Sequence, residues 1–507
     1  MEESRTLLSI KNFLTGFLQK LVSLLLIFVC RRFFIVYIGI DYLGINSLFV
    51  NILSILSMAD FGFGISMAYS FYKPIAENDK SKISALITFY GKIYNIIALT
   101  ILVVGLGLIP FLKFLINLEH EIPNLYIYYI VFLLQTVISY LFVYKGTLLN
   151  ANQKSYIING IYTIINVIKT IIQIVSIILF KKYIVFILIQ LFANLLQNLI
   201  ISYKANKLFP YIKEKRILDK ESKIQIRNNI SSIFIYKVSS VFMNSIDSIL
   251  ISKLVSTTVL GIYSNYLEIL NGLFTFLNII FSSVTASIGN LVVTESEDKQ
   301  IIIFKTMQML SYFFSTFVII CFITTVQDFI TIWIGNSFLL NYSIIICVSI
   351  NFYFSICSMP LWSYREACGI YMKTKYIMLL CAIINLCLSI FLGIKFGLSG
   401  IIIASVIARL LTYLWYEPKI LYNIVFKESP IKYYLGFARN IIITVICCVV
   451  TYVFYSNIFV TESSIINFII KNLINFIFIL ILFFILYHKT NEFKYLINTF
   501  KRIFRRF

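Results

Sequence analysis

The sequence predicts an all-α polytopic membrane protein with about fourteen transmembrane helices. Three observations carry that expectation. Of the 507 residues 60% are hydrophobic and 13% charged, with a mean hydropathy of +0.91, so a globule in water would lack the polar surface to cover itself. Apolar stretches of about 20 residues, the length that crosses roughly 30 Å of hydrocarbon, recur from end to end. The 43 Lys and Arg sit in the short breaks between those stretches, mostly in alternate ones, as expected of loops sorted by the positive-inside rule.

Taken in order, the spans fall near 13–38, 43–69, 83–109, 125–149, 156–180 and 183–208, and after a charged stretch near 229–252, 258–285, 301–326, 338–364, 375–394 and 397–422. A last pair lies near 440–460 and 465–487. The expected domains are an N-terminal six-helix lobe (1–208), a charged cytoplasmic linker (209–228) and a C-terminal six-helix lobe (229–422). Two additional transmembrane helices (423–488) and a basic cytoplasmic tail (489–507) follow. Alternating the loops places about 30 of the 43 basic residues on one side, including Lys73, Lys80, Lys213, Arg216 and the tail, which puts both termini in the cytoplasm. The first span ends in Cys30-Arg31-Arg32 without a small-residue cleavage site, so it reads as a retained helix of a multi-pass protein of the bacterial cytoplasmic membrane.

Several function classes are excluded or weakened. The net charge of +21 is dispersed among loops rather than gathered on one arm, so no nucleic-acid partner is expected. The nine cysteines form no C-x-x-C pair and the two histidines, His120 and His488, lie at helix ends, so neither a disulfide framework nor a metal site is indicated. There is no G-x-x-x-x-G-K-[ST] run, no Ser/His/Asp set and no long loop to carry a catalytic domain, so the chain is not expected to be an enzyme. A membrane glycan polymerase or ligase is the weakest alternative retained.

The chain also matches itself. At a displacement of 217 residues Asn12 meets Asn229, Phe17 meets Phe234, Lys20 meets Lys237, Ser23 meets Ser240, and Leu43-Gly44-Ile45 meets Leu260-Gly261-Ile262. A membrane lysine aligned with a membrane lysine weighs more than aligned Phe or Ile. Six helices per repeat preserve orientation, which implies two lobes related by a pseudo-twofold along the membrane normal, the plan of transporters that rock around a midplane site.

Polar side chains in spans are expensive, so stripes of them mark faces turned to protein or water. The seventh span carries Lys237, Ser240, Asn244, Asp247 and Ser248; the eighth carries Ser264, Glu268, Asn271, Thr275, Asn278 and Ser282; the second carries Ser47, Asn51, Ser54 and Ser57. On the first, Lys20, Ser23 and Arg31 share a face. These are the four spans that the repeat pairs. The expected substrate-binding residues are Lys20, Arg31, Arg32, Asn51, Lys237, Asn244 and Asn271, a cationic and amide-rich set suited to a pyrophosphate bearing a sugar. The bland readings stand beside this one: Arg31 and Arg32 snorkel to headgroups, and Lys237 pairs with an acid. Asp247 and Glu268 either couple transport to H⁺ or Na⁺ or only neutralise Lys237. No other cofactor is expected.

At the first two spans the wording resembles polysaccharide-unit flippases, the Wzx-type proteins of the multidrug, oligosaccharidyl-lipid and polysaccharide (MOP) exporter superfamily. The residues are Arg32-Phe33-Phe34, Tyr42-Leu43-Gly44, Leu48-Phe49, Asn51 to Ser57, the acid-Phe-Gly-x-Gly of Asp60 to Gly64, and Tyr72-Lys73-Pro74. The resemblance covers about the first 75 residues. It implies a six-plus-six fold, a central cationic cavity and ion-driven alternating access. The expected function is translocation of an undecaprenyl-pyrophosphate-linked oligosaccharide for capsule or O-antigen, with the bilayer, that glycan lipid and other polysaccharide assembly proteins as partners. The alternatives are a flippase for lipid II or another lipid-linked precursor, and a multidrug or small-solute exporter of the same superfamily.

Overall fold

A computed structural model describes residues 5–60, 63–117, 121–458 and 465–504; within its helices some side chains, among them those of Asp60, Lys237 and Asn244, lie outside the described residues. Helices account for nearly all of it, with no strand among the described residues. By packing, the chain divides into two compact units, Met1–Gly261 and Ile262–Phe507.

The first unit holds α1 (Arg5–Tyr37), α2 (Ile40–Leu56), α3 (Phe63–Ala76), α4 (Lys80–Gly107), the single turn α5 (Leu112–Leu115), α6 (Leu125–Ala151), α7 (Ser155–Phe180), α8 (Tyr183–Leu208) and α9 (Lys220–Leu254). α10 (Thr257–Ser283) begins in this unit and ends in the second. The second continues with α11 (Thr285–Thr294), α12 (Glu297–Trp333), α13 (Tyr342–Cys357), α14 (Met359–Ala367), α15 (Tyr371–Leu411), α16 (Tyr413–Leu421), α17 (Ile431–Ile458), α18 (Ile465–Tyr487) and α19 (Asn491–Phe504).

Among the described residues, eleven helices are long and apolar enough to span a membrane. The other three expected spans are present in altered form. The second, expected as one helix, breaks after Leu56 into a 3₁₀ turn and resumes as α3; Ser57 bonds back to the Leu53 carbonyl (2.8 Å) just where small residues weaken the helix. The seventh is α9, whose charged start keeps its overall hydropathy low. The eleventh and twelfth run together in α15 but are separated at Gly397, whose φ of 59° and ψ of −136° are open to glycine and strained for any other residue. Three residues on, a Cβ at Gly400 would stand 2.1 Å from the Leu392 carbonyl oxygen, so this tight connection needs both glycines.

Two boundaries differ from the sequence expectation for identifiable reasons. α9 starts at Lys220, within the expected linker, because Asp219 caps it by accepting from the Ser222 amide (2.7 Å). That bond holds the Asp219 carboxyl below the usual aspartate range. The cap therefore adds stability above the ordinary aspartate pKa and loses it as pH falls through the lowered value. The stretch before it rests on α4: Arg216 bonds Ser81 (2.5 Å), and Ser84 donates to the Glu214 carbonyl. The expected basic tail is likewise mostly helix, α19. Packing also groups α9 with α2 and α3 of the first unit, whereas the 229–422 lobe was drawn from hydropathy and repeat.

The second unit fastens its last helix pair with polar contacts, which matter where lipid removes any hydrophobic gain from helix association. Lys471 on α18 reaches Asp328 on α12 (2.7 Å), Asn472 and Asn475 bond Thr325 (3.3 Å) and Thr324 (3.1 Å), and Tyr455 on α17 donates to Asn475 (2.9 Å). Deeper in the same unit Arg365 on α14 and Glu417 on α16 form an ion pair at 2.5 Å, with side chains only 6% and 4% exposed. Removing one partner strands a buried charge, a loss of about 3–5 kcal/mol, whereas an apolar pair of similar volume removes both desolvation terms. We expect Arg365→Met to unfold at a clearly lower temperature in detergent, and Arg365→Met with Glu417→Leu to recover most of that loss; a double variant as weak as the single one contradicts the pairing.

Candidate functional site

The tightest crossing in the first unit joins the start of α2 to the start of α10. A Cβ at Gly44 would stand 1.9 Å from the Thr257 carbonyl oxygen, and a Cβ at Gly261 would stand 2.5 Å from the Ile40 carbonyl oxygen and 3.0 Å from the Gly44 nitrogen. Only glycine allows two backbones that close. Thr258 donates to Asp41 at a sequence separation of 217, and the same displacement carries Ile40 to Thr257 and Gly44 to Gly261. Residue 44 thus meets 257 while 261 meets 40, the reciprocal pattern of a twofold contact.

A clamp fixes the turn that presents α10 to this crossing. The Asn117 carbonyl accepts from the Thr257 amide (3.0 Å) and hydroxyl (2.9 Å), and its side-chain amide donates to the Val255 carbonyl (3.1 Å). Ser256 caps α10 by accepting from the Val259 amide (3.1 Å). Across the crossing, Gly39 with φ 108° makes the two-residue link from α1, which an L side chain would strain.

α1 packs chiefly against α7, through Asn12, which donates to the Gln153 carbonyl (2.9 Å) and accepts from the Tyr156 amide (2.8 Å), and through Gly16 against Asn159. At about 100° per residue Lys20 and Arg31 fall on one line beside that seam, roughly 16 Å apart along the axis. Lys20 is exposed and Arg31 half-buried; Arg32, a further 100° or so round, is exposed on another side. The helix thus brings Lys20 and Arg31 onto a shared line and leaves Arg32 off it.

Asn51 is half-buried and donates to the Ser47 carbonyl (2.8 Å), and Ser54 likewise bonds back to Val50 (2.8 Å), so part of the α2 stripe is satisfied within its own helix. On α9, Asp247 is half-buried and Ser248 buried, and the side chains of Lys237 and Asn244 lie outside the described residues. On α10, Ser264 is buried, Glu268 half-buried, and Asn271, Asn278 and Ser282 exposed, so the later turns of this helix present a polar face. An exposed amide face on a spanning helix fits water or a polar ligand better than hydrocarbon.

Reading the sequence had not placed four polar contacts in the spans: Arg365 with Glu417, Lys471 with Asp328, Arg409 with the Ser355 hydroxyl (2.6 Å), and Lys145 with Ser202 (2.8 Å). These residues are distant in sequence and off any periodic stripe, so no pattern signals them. The reciprocal contact did leave a trace, because Gly44 and Gly261 stood aligned in the repeat.

No family model and no curated protein matches the chain. Solved structures do. The chain is similar to a lipid II flippase, MurJ, in an inward closed conformation, with a TM-score of 0.65 at 17% identity over 94% of this chain and 99% of that one. The likeness runs over nearly the whole of both chains and is one of fold. A Vibrio cholerae MATE transporter, VcmN, matches at TM-score 0.55 and 14% identity over 83% of this chain and 99% of that one. An inward-facing multidrug-resistance MATE transporter of the MOP superfamily matches at 0.58 and 13%, over 78% and 93%. The chain shares the fold of these three proteins.

The crossing yields a direct test. With the native cysteines removed, Asp41→Cys combined with Thr258→Cys should crosslink on mild oxidation, and Gly44→Val or Gly261→Val should each sharply reduce crosslinking by pushing the backbones apart. Undiminished crosslinking in the valine variants contradicts the close approach.

Proposed function

We propose that the chain flips an undecaprenyl-pyrophosphate-linked oligosaccharide repeat unit across the bacterial cytoplasmic membrane for surface polysaccharide, by ion-coupled alternating access. The observation that carries this reading is the reach of the fold likeness: the MurJ match extends over 94% of the chain, whereas the MATE matches stop at 83% and 78%. A lipid-linked glycan shares with that flippase's substrate class a greasy anchor, an anionic linker and a sugar head, and the cationic line of α1 suits the linker.

In this reading both termini are cytoplasmic, and residues 1–208 and 229–422 act as two lobes around the pseudo-twofold. Lys20, Arg31 and Lys237 hold the pyrophosphate by charge-assisted hydrogen bonds, with Arg32 at the headgroup boundary. Asn51, Asn244 and Asn271 address the sugar. A charge at a helix centre costs roughly 2.5–3.5 kcal/mol on insertion scales, a cost that binding an anion offsets. Asp247 and Glu268 take up H⁺ or Na⁺ in one conformation and release it in the other. The α2–α10 crossing closes one side of the membrane in this state and opens in the alternate one.

The likeness to MurJ itself favours one second reading, a flippase for lipid II or another lipid-linked precursor. Deleting the gene separates them. Loss of surface glycan with lipid-linked repeat units accumulating inside supports the first; arrested peptidoglycan synthesis supports the second; altered drug susceptibility with normal glycan supports neither and points to an exporter. In a complemented deletion strain, Lys20→Ala, Arg31→Ala and Lys237→Ala together should cut surface glycan at least ~100-fold at unchanged membrane abundance, since each lost charge-assisted bond is worth about 1.5–3 kcal/mol. Export surviving that triple change would refute the cationic site.

A further inference from the structure

The C-terminal helix α19 is unlike every other helix of the chain. It is 14 residues long, too short to span, and follows α18 after only His488, Lys489 and Thr490. Thr490 starts it afresh, its hydroxyl accepting from the Phe493 amide (3.3 Å), so the chain turns rather than continuing along the α18 axis.

Its sequence is sorted by face. At about 100° per residue, Phe493, Leu496, Ile497, Phe500, Ile503 and Phe504 fall within an arc of roughly 120°, and Lys494, Asn498, Lys501 and Arg502 fall outside it. From Lys489 to Phe507 the basic residues are Lys489, Lys494, Lys501, Arg502, Arg505 and Arg506, against the single acid Glu492. One edge of the helix lies on the second unit: the Glu492 carbonyl accepts from Thr306 of α12 (3.4 Å), and the Phe493 ring stands edge-on to Phe484 at 5.8 Å. The other edge is open, with Ile497 37% exposed and Lys494 and Lys501 exposed. Among the described residues of the apolar arc, Phe493 and Leu496 are half-buried, and Ile497 is the exposed one, on the edge bordered by Lys494 and Lys501.

We propose that α19 lies in the plane of the membrane surface and binds anionic phospholipid, its open apolar edge in the acyl boundary and its lysines on the headgroup phosphates. A helix with a strong apolar face, a basic polar face and low overall hydropathy rests in that layer, and an anionic leaflet attracts each nearby lysine or arginine. The partner is lipid rather than a soluble phosphate because the cations border an apolar surface that a free anion does not cover. The occupied helix then braces the start of α12 and the end of α18, the two helices between which it is anchored. This holds whichever substrate the chain carries.

The test uses the full-length protein in nanodiscs of phosphatidylcholine alone or with phosphatidylglycerol, read by amide hydrogen exchange over residues 491–504. Anionic lipid should slow exchange there about 10-fold or more, and 0.5 M salt should reverse part of it, since screening acts over about 10 Å or less. Lys494→Glu with Lys501→Glu should abolish the lipid-dependent slowing, and Lys494→Arg with Lys501→Arg should keep it. Equal protection in both lipids, or a lipid effect that survives the Glu variant, overturns the proposal. Slowing by inorganic phosphate in phosphatidylcholine discs equal to that by phosphatidylglycerol also overturns it, by assigning the site to a soluble anion.

Discussion

The structure depends most on the contact in which Gly44 and Gly261 let α2 and α10 touch backbone to backbone. A Cβ 1.9 Å from a carbonyl oxygen is well inside any tolerable contact, so the local geometry is decided by the absence of two side chains. Everything near it is arranged to hold the approach: Asn117 grips the turn before α10, Gly39 aims α2, and Thr258 meets Asp41. The contact is also reciprocal at the displacement of the internal repeat. Asp41 and its repeat mate Thr258 meet here, and Gly44 lies against its mate Gly261, so the contact is locally twofold in pattern.

Helix existence was legible because hydropathy is what the bilayer selects, and the lengths of the apolar runs are set by its thickness. Breaks inside runs were not. The interruption after Leu56 falls inside the span expected at 43–69, where hydropathy gives no boundary and backbone conformation decides; the break at Gly397, by contrast, falls at the boundary expected between 375–394 and 397–422. The early start of α9 had a readable cause in Asp219, a good N-cap followed by Ser222, which charge content obscured. α19 was likewise hidden: as a count of basic residues it reads as a tail, and only its period-3.6 pattern separates it from one.

The candidate site was legible in part, and the part follows from what a stripe can say. Periodicity puts Lys20 and Arg31 on one line because both belong to one helix, α1, whose register is fixed. It could not say that Asn51 and Ser54 bond within α2, since serine and asparagine readily satisfy themselves on the preceding turn. Nor could it find the Arg365–Glu417 or Lys471–Asp328 pairs, whose members lie on different helices and become partners only through packing.

The ionic groups in the spans therefore divide by their surroundings. Arg365, Glu417, Lys471 and Asp328 sit in close pairs with little exposure, the arrangement that neutralises charge and fixes helices to one another. Lys20 and Arg32 are exposed on α1, a helix whose most hydropathic stretch is nowhere buried and whose main protein seam is with α7. The first arrangement locks parts of the second unit, because separating either pair strands two charges. The second leaves cations exposed on a helix whose hold on the protein is mainly one long seam, that with α7. The same partition separates the charges that join helices to one another from those that packing leaves at the surface.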